Sequence, residues 1–147
     1  MTLAEVIAQV ESGGRSDIPR FEDAMFARWR SAPSRAQAAV VNEICRVHRG
    51  CSIATGFMIT CTSWGKYQFL GETLYSTLDV TDTVFAFVAS DAEQDARFDQ
   101  WLGKHRFDAS LVLVDAAETR RFAELWNGPG AVDNYLAQMA AVIGDAS

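Results

Sequence analysis

Val132, Tyr135, Leu136, Met139, Val142 and Ile143 fall at intervals of three and four residues near one end of the chain. Leu3, Val6, Ile7 and Val10 repeat that spacing near the other end. Such a period gathers apolar side chains on one stripe of an α-helix. A stripe has to be covered by another element, so helix-on-helix packing is the solution these segments favour.

The interior continues the helical theme. Residues 2–12 read as an amphipathic helix closed by Gly13 and Gly14. Pro19 breaks regular structure, and "FEDAMFARW" resumes as a short helix. In "SAPSRAQAAVVNEICRVHRG", Ser34 is an N-cap with Gln37 at capping-box spacing; Ala36, Val40, Ile44 and Val47 form the expected buried stripe, and Gly50 ends it. The β-branched content of "CSIATGFMITCTSWG" suits a strand or hairpin, but a short buried helix fits nearly as well, so a small β element near residues 51–62 stays open. "GKYQFLGETLYS" turns at Gly65 into a short helix. Thr81 or Asp82 is expected to cap one long helix reaching about His105, with Phe85, Val88, Phe98, Trp101 and Leu102 inward. Asp115 and Glu118 have capping-box spacing at the start of "DAAETRRFAELW", which "NGPG" breaks. The expectation is a mostly α, single domain over residues 1–147.

Charge and cysteine usage narrow the function. A chain of 147 residues, 49% hydrophobic and 22% charged, suits a soluble globular domain with a real core. The net charge of −6 argues against nucleic acid as partner, because phosphate binding needs a basic face. The N-terminus lacks a basic region, and Glu5 and Gln9 interrupt its apolar run, so it does not read as a signal peptide. No run approaches the roughly 18 apolar residues of a membrane span. Synthesis in the cytoplasm and no membrane insertion are therefore expected. Cys45, Cys51 and Cys61 are odd in number and clustered, a poor disulfide framework, and with only His48 and His105 they do not match a zinc site. Free or buried thiols, no metal, no cofactor and a monomeric state are expected.

Three short stretches carry chemistry. Glu11 ends an apolar helix against Gly13 and Gly14. A carboxylate there is disfavoured by the helix dipole, which pushes it toward the protonated form a general acid needs; the bland reading is a solvated surface glutamate. In "SWGKYQF", Ser63 and Gly65 suit a tight turn, and Gln68 lies between Tyr67 and Phe69. Its amide is either ordinary surface or a hydrogen-bonding group in a cleft. In "ELWNGPG", Asn127 is either a helix C-cap or, with Trp126, a lining of the same cleft. Aromatic faces beside amides suit carbohydrate, which offers C–H faces and many hydroxyls.

In this order and spacing, "ESGGR", "SWGKYQFLG", "DTVFAFVASDAEQDARFDQWL" and "FAELWNGPG" with Tyr135 after it resemble the N-acetylmuramidase family of phage endolysins and prophage genes, within the lysozyme-like superfamily. The resemblance covers most of the chain. It implies a lysozyme-like fold with Glu11 as catalytic acid, Gln68 as the glutamine of the family's Gly-x-x-Gln motif, and Asn127 and Tyr135 as late cleft residues; Ser63, Tyr67 and Trp126 are the further substrate-contacting candidates. "RFEDAMF" is similar to the family's Phe-Glu-Arg-His-x-Phe segment and keeps Glu22, whereas Asp23 and Ala24 replace its arginine and histidine. Lys66 stands where an apolar residue is usual.

The implied activity is cleavage of the β-1,4 bond from N-acetylmuramic acid to N-acetylglucosamine in a peptidoglycan glycan strand. Hydrolysis calls for a second carboxylate, for which Glu22 is the candidate. Two alternatives stay open. A lytic transglycosylase would use Glu11 alone and leave 1,6-anhydromuramic ends, and a degenerate domain would bind glycan without turnover. For a protein made in the host cytoplasm, action in the periplasm or cell wall calls for delivery by a holin or a virion.

Overall fold

The computed structural model describes residues 1–146. In chain order the elements are α1 (Leu3–Ser12), β1 (Arg20–Phe21), α2 (Asp23–Ser31), α3 (Arg35–Val47), α4 (Ile53–Thr60), β2 (Thr62–Trp64), β3 (Phe69–Leu70), α5 (Gly71–Ser76), α6 (Val84–Val88), α7 (Asp91–Lys104), α8 (Ala109–Val112), α9 (Ala116–Asn127) and α10 (Val132–Asp145). The fold is mostly α with one small antiparallel sheet ordered β1-β2-β3. Among the described residues no helix is long and apolar enough to cross a membrane.

Helix starts follow local chemistry. Ser34 accepts from the Gln37 N–H while the Gln37 side chain accepts from the Ser34 N–H, a complete capping box. Thr2 and Glu5 make the same exchange at the head of α1. Asp115 caps α9 through the N–H groups of Ala117 and Glu118, without the reciprocal bond.

Three local expectations change. Residues 53–60 are helical, with Ser52 as N-cap, and the β element begins only at Thr62. The single long helix to His105 is two helices: Thr83, not Thr81 or Asp82, caps α6, and Ser90 re-caps the chain into α7. The turn around Ala89 rotates the stripe, which leaves Phe85 65% exposed while Phe87 is buried. Ala36 is exposed, so the α3 stripe is Val40, Val41 and Ile44.

Leu3, Val6 and Ile7 of α1 join Val132, Tyr135 and Met139 of α10 in one core with Phe98, Trp101 and Phe122. Burying each such side chain stabilises the fold by about 1.5–3 kcal/mol. A side chain on Gly71 would strike the Ile59 backbone, so α4 and the start of α5 can meet only through a glycine. That approach fixes where the sheet stands against the helices.

Candidate active site

Glu11 lies in the last turn of α1. Gly13 adopts φ +64 and Gly14 φ +77; their N–H groups donate to Gln9 O and Ala8 O, both at 3.0 Å, and stop the helix there. The half-buried Glu11 carboxyl accepts from Trp126 Nε1 and from the Tyr135 hydroxyl, each at 2.8 Å and each on Oε1. Burial raises its pKa above the ordinary carboxyl range, against the opposing pull of those two hydrogen bonds and of Arg20. The helix C-terminus acts in the same direction as burial. Both donors fall on Oε1, so a proton on this carboxyl would belong on Oε2. Burial, then the Glu11 charge, pushes the Tyr135 hydroxyl far upward, so it remains a donor at all working pH values.

Trp126 is fixed by an aromatic bed. Its ring stacks on Phe122 at 5.5 Å and 14°, and meets Trp101 at 4.6 Å, Phe69 at 5.3 Å and Phe98 at 5.5 Å edge-on. Such pairs contribute about 0.5–1.5 kcal/mol each beyond burial. The indole N–H therefore arrives at Glu11 already oriented.

The β2–β3 turn supplies Gln68. This residue is buried and sits at φ +51, a conformation that costs a non-glycine side chain about 1 kcal/mol or more. Two bonds hold it there: Nε2 donates to Ile18 O at 2.8 Å and to Gly65 O at 2.9 Å. Among the described residues no donor meets its Oε1. Gln94, fully buried on α7, accepts from Lys66 N at 2.7 Å, and the room it takes leaves none for a Cβ at Gly65. Ser12 Oγ donates to Lys66 O at 2.9 Å, tying the end of α1 to the same turn.

Another part of the lining comes from β1 and the start of α2. Arg20 pairs with Ser63 in the sheet, and residues two apart on an extended chain share a face, so Arg20 and Glu22 project together. Arg20 Nε lies 2.8 Å from Glu22 Oε1, and Ser63 Oγ donates to the same oxygen at 3.4 Å. Glu22 N–H donates to Cys61 O at 2.9 Å, which extends the pairing by one bond.

These walls enclose a cleft of about 520 Å³ lined by Glu11, Glu22, Ser63, Gln68, Trp126 and Asn127, residues that span almost the whole chain. Asn127 ends α9, exposed at the rim. Two residues expected at the substrate stand elsewhere. Tyr67 is buried, stacked on Phe98 at 4.4 Å, with its hydroxyl donating to Asp95 at 2.5 Å, so it seats the hairpin instead of lining the cleft. Tyr135 stands behind Glu11 and reaches the cleft only through that carboxyl. Lys66, the departure from the apolar pattern, pairs with Asp95 at 2.8 Å on that outer side. Arg20 and Arg28 also line the cleft. Both lie near Glu22 in the sequence as candidate partners for a structural carboxylate, and the one that pairs with it is Arg20.

Residues 3–146 match the sequence profile of the N-acetylmuramidase family. The chain belongs to that family. Membership places it among lysozyme-like, peptidoglycan-cleaving proteins. A curated relative, an endolysin of Enterobacteria phage PRD1, is 29% identical over 146 residues that cover 97% of each chain. No solved structure matches the chain.

Proposed function

We propose that this muramidase-family protein cleaves the β-1,4 bond between N-acetylmuramic acid and N-acetylglucosamine, with Glu11 as the general acid. The observation that carries the proposal is the Glu11 carboxyl itself, held by Trp126 and Tyr135 in a cleft, with burial favouring its protonated form. A proton on Oε2 is available to the glycosidic oxygen as the bond breaks, and general acid transfer of this kind accounts for about 100- to 10,000-fold in rate. Glu22 would activate water within the same cleft. Its Oε1 is engaged by Arg20 and Ser63, and among the described residues no protein group occupies Oε2. Gln68 Oε1, Ser63, Trp126 and Asn127 would orient the sugar rings, and Tyr135 would position Glu11.

One observation favours the single-acid route instead: the Arg20–Glu22–Ser63 contacts also suit a purely structural Glu22. In that case the muramic C6 hydroxyl attacks internally. Mass spectrometry of muropeptides released from purified peptidoglycan separates the two. Hydrolysis leaves reducing muramic ends, transglycosylation leaves 1,6-anhydro ends, and release of neither would identify a glycan-binding domain. Within this reading the protein acts as a monomer on the glycan strand, without nucleic acid or membrane insertion. It is made in the host cytoplasm and reaches the wall by a holin or a virion.

A further inference from the structure

We propose that Cys45 and Cys51 are a disulfide-forming pair, closed by thiol–disulfide exchange once the protein meets an oxidising compartment. Their sulfurs are 3.3 Å apart, and both residues are half-buried and hence reachable. The approach is built by the backbone. After α3, Gly50 adopts φ +91 and returns its N–H to Cys45 O at 3.3 Å, which lays the next residue, Cys51, against Cys45. The Cys45 sulfur is also seated from the other side. It lies 3.5 Å from Ser52 O, and a Cβ on Gly56 of α4 would stand only 2.8 Å from it. Glycine at 56 therefore makes the space this sulfur fills. A disulfide needs a sulfur separation of about 2.0 Å, so the pair has about 1.3 Å to close, within reach of side-chain rotation. Cys61 is buried, whereas Cys45 and Cys51 are partly exposed.

The exchange partner is a disulfide, such as oxidised glutathione. The Cys51 thiolate attacks one of its sulfurs, expelling one glutathione thiolate and leaving a mixed disulfide on Cys51. Cys45 then loses its proton to solvent, attacks the Cys51 sulfur and expels the second thiolate. Two protein thiols are oxidised, and one disulfide is reduced to two thiols. Cys45 is taken as the resolving member because its sulfur is seated between Ser52 O and Gly56, and burial, then its neighbour Cys51, push its thiol up to about 11. The closed bridge would clamp the α3–α4 turn. Helix α4 runs straight into Cys61 and β2, whose Cys61 carbonyl and Ser63 hydroxyl hold Glu22, so the clamp braces one wall of the cleft without entering it.

The setting rests on the proposed action at the wall; the chemistry does not. The test incubates the purified full chain with oxidised glutathione and reads intact mass, a chymotryptic map and thermal melting. Cleavage after Phe57 separates Cys51 from Cys61. The expected result is a loss of about 2 Da, a Cys45–Cys51 cross-linked peptide and a Tm raised by a few degrees. Cys51→Ser should show neither the cross-link nor the rise, and should keep the wall-digesting activity of the reduced parent. Three persisting thiols, a stable glutathione adduct, a bridge to Cys61 or a lowered Tm would overturn the proposal. A reduced protein that fails to release muropeptides would instead contradict the enzymatic reading and leave the thiol result intact.

Discussion

Glu11 and Glu22 face the same cleft from opposite environments. Glu11 ends a helix, is half-buried against a bed of aromatic rings and receives two neutral donors on one oxygen. Glu22 begins a helix, where the dipole is reversed, and a guanidinium sits 2.8 Å from its carboxylate. Two identical groups are thus offered different work by what surrounds them, the pattern by which carboxylate pairs divide acid and base roles. Under the proposed mechanism the ring bed behind one and the cation beside the other, not the residue type, would separate their roles.

The largest effect expected from breaking this contrast is Glu11→Gln. The amide keeps the shape and both hydrogen bonds but has no proton to give, so muropeptide release should fall by about 100- to 10,000-fold with the fold retained. Turbidity clearance of purified wall measures it. Glu22→Gln comes next. If water activation resides there, reducing-end release should drop by about 100-fold, and any remaining product should shift toward anhydro ends. Unchanged rate and products would reduce Glu22 to a structural partner of Arg20.

Smaller and more telling is Tyr135→Phe. It removes a donor that favours the ionised Glu11, so the Glu11 pKa should rise further. The alkaline limb of the pH–rate profile should move upward, while the rate at the optimum falls by about tenfold or less as the carboxyl loses an anchor. An unmoved limb would separate that limb from Glu11.

The smallest effect is on stability. A carboxyl whose folded pKa lies above its unfolded value contributes stability that is full at low pH and lost as pH rises through the folded pKa. Glu11→Gln removes that loss. The melting difference between variant and parent should therefore be slight in acid and grow in the variant's favour with rising pH. Its plateau is about 1.4 kcal/mol for each pH unit by which the folded pKa exceeds the unfolded one. Melting curves across that range check the sign.

Much of this contrast is legible in the amino-acid sequence. Helix α1, the glycine stop and Glu11 follow from spacing and turn chemistry, as do the Ser34 capping box and the α10 stripe. Long-range features are not. Gln94 lies in a charged run and reads as solvated, yet it is fully buried because the hairpin backbone needs an acceptor at Lys66. The left-handed Gln68 is only partly legible, since one of the two side-chain bonds that hold it goes to Ile18 O, fifty residues away. The break between α6 and α7 falls where an apolar run meets a charged one, at Ser90, which caps α7 through the Glu93 N–H. Tyr67 is a substrate-contacting candidate by its place beside Gln68, whereas its ring packs on a helix about thirty residues on.

Burial at the end of α1 raises the pKa of the Glu11 carboxyl beside the cleft. A ¹³C NMR titration of the glutamate side-chain carboxyl carbons tests it directly, with Glu11→Gln to assign the resonance. The Glu11 signal is expected to titrate above the ordinary carboxyl range. A Glu11 signal that titrates within or below that range would contradict it.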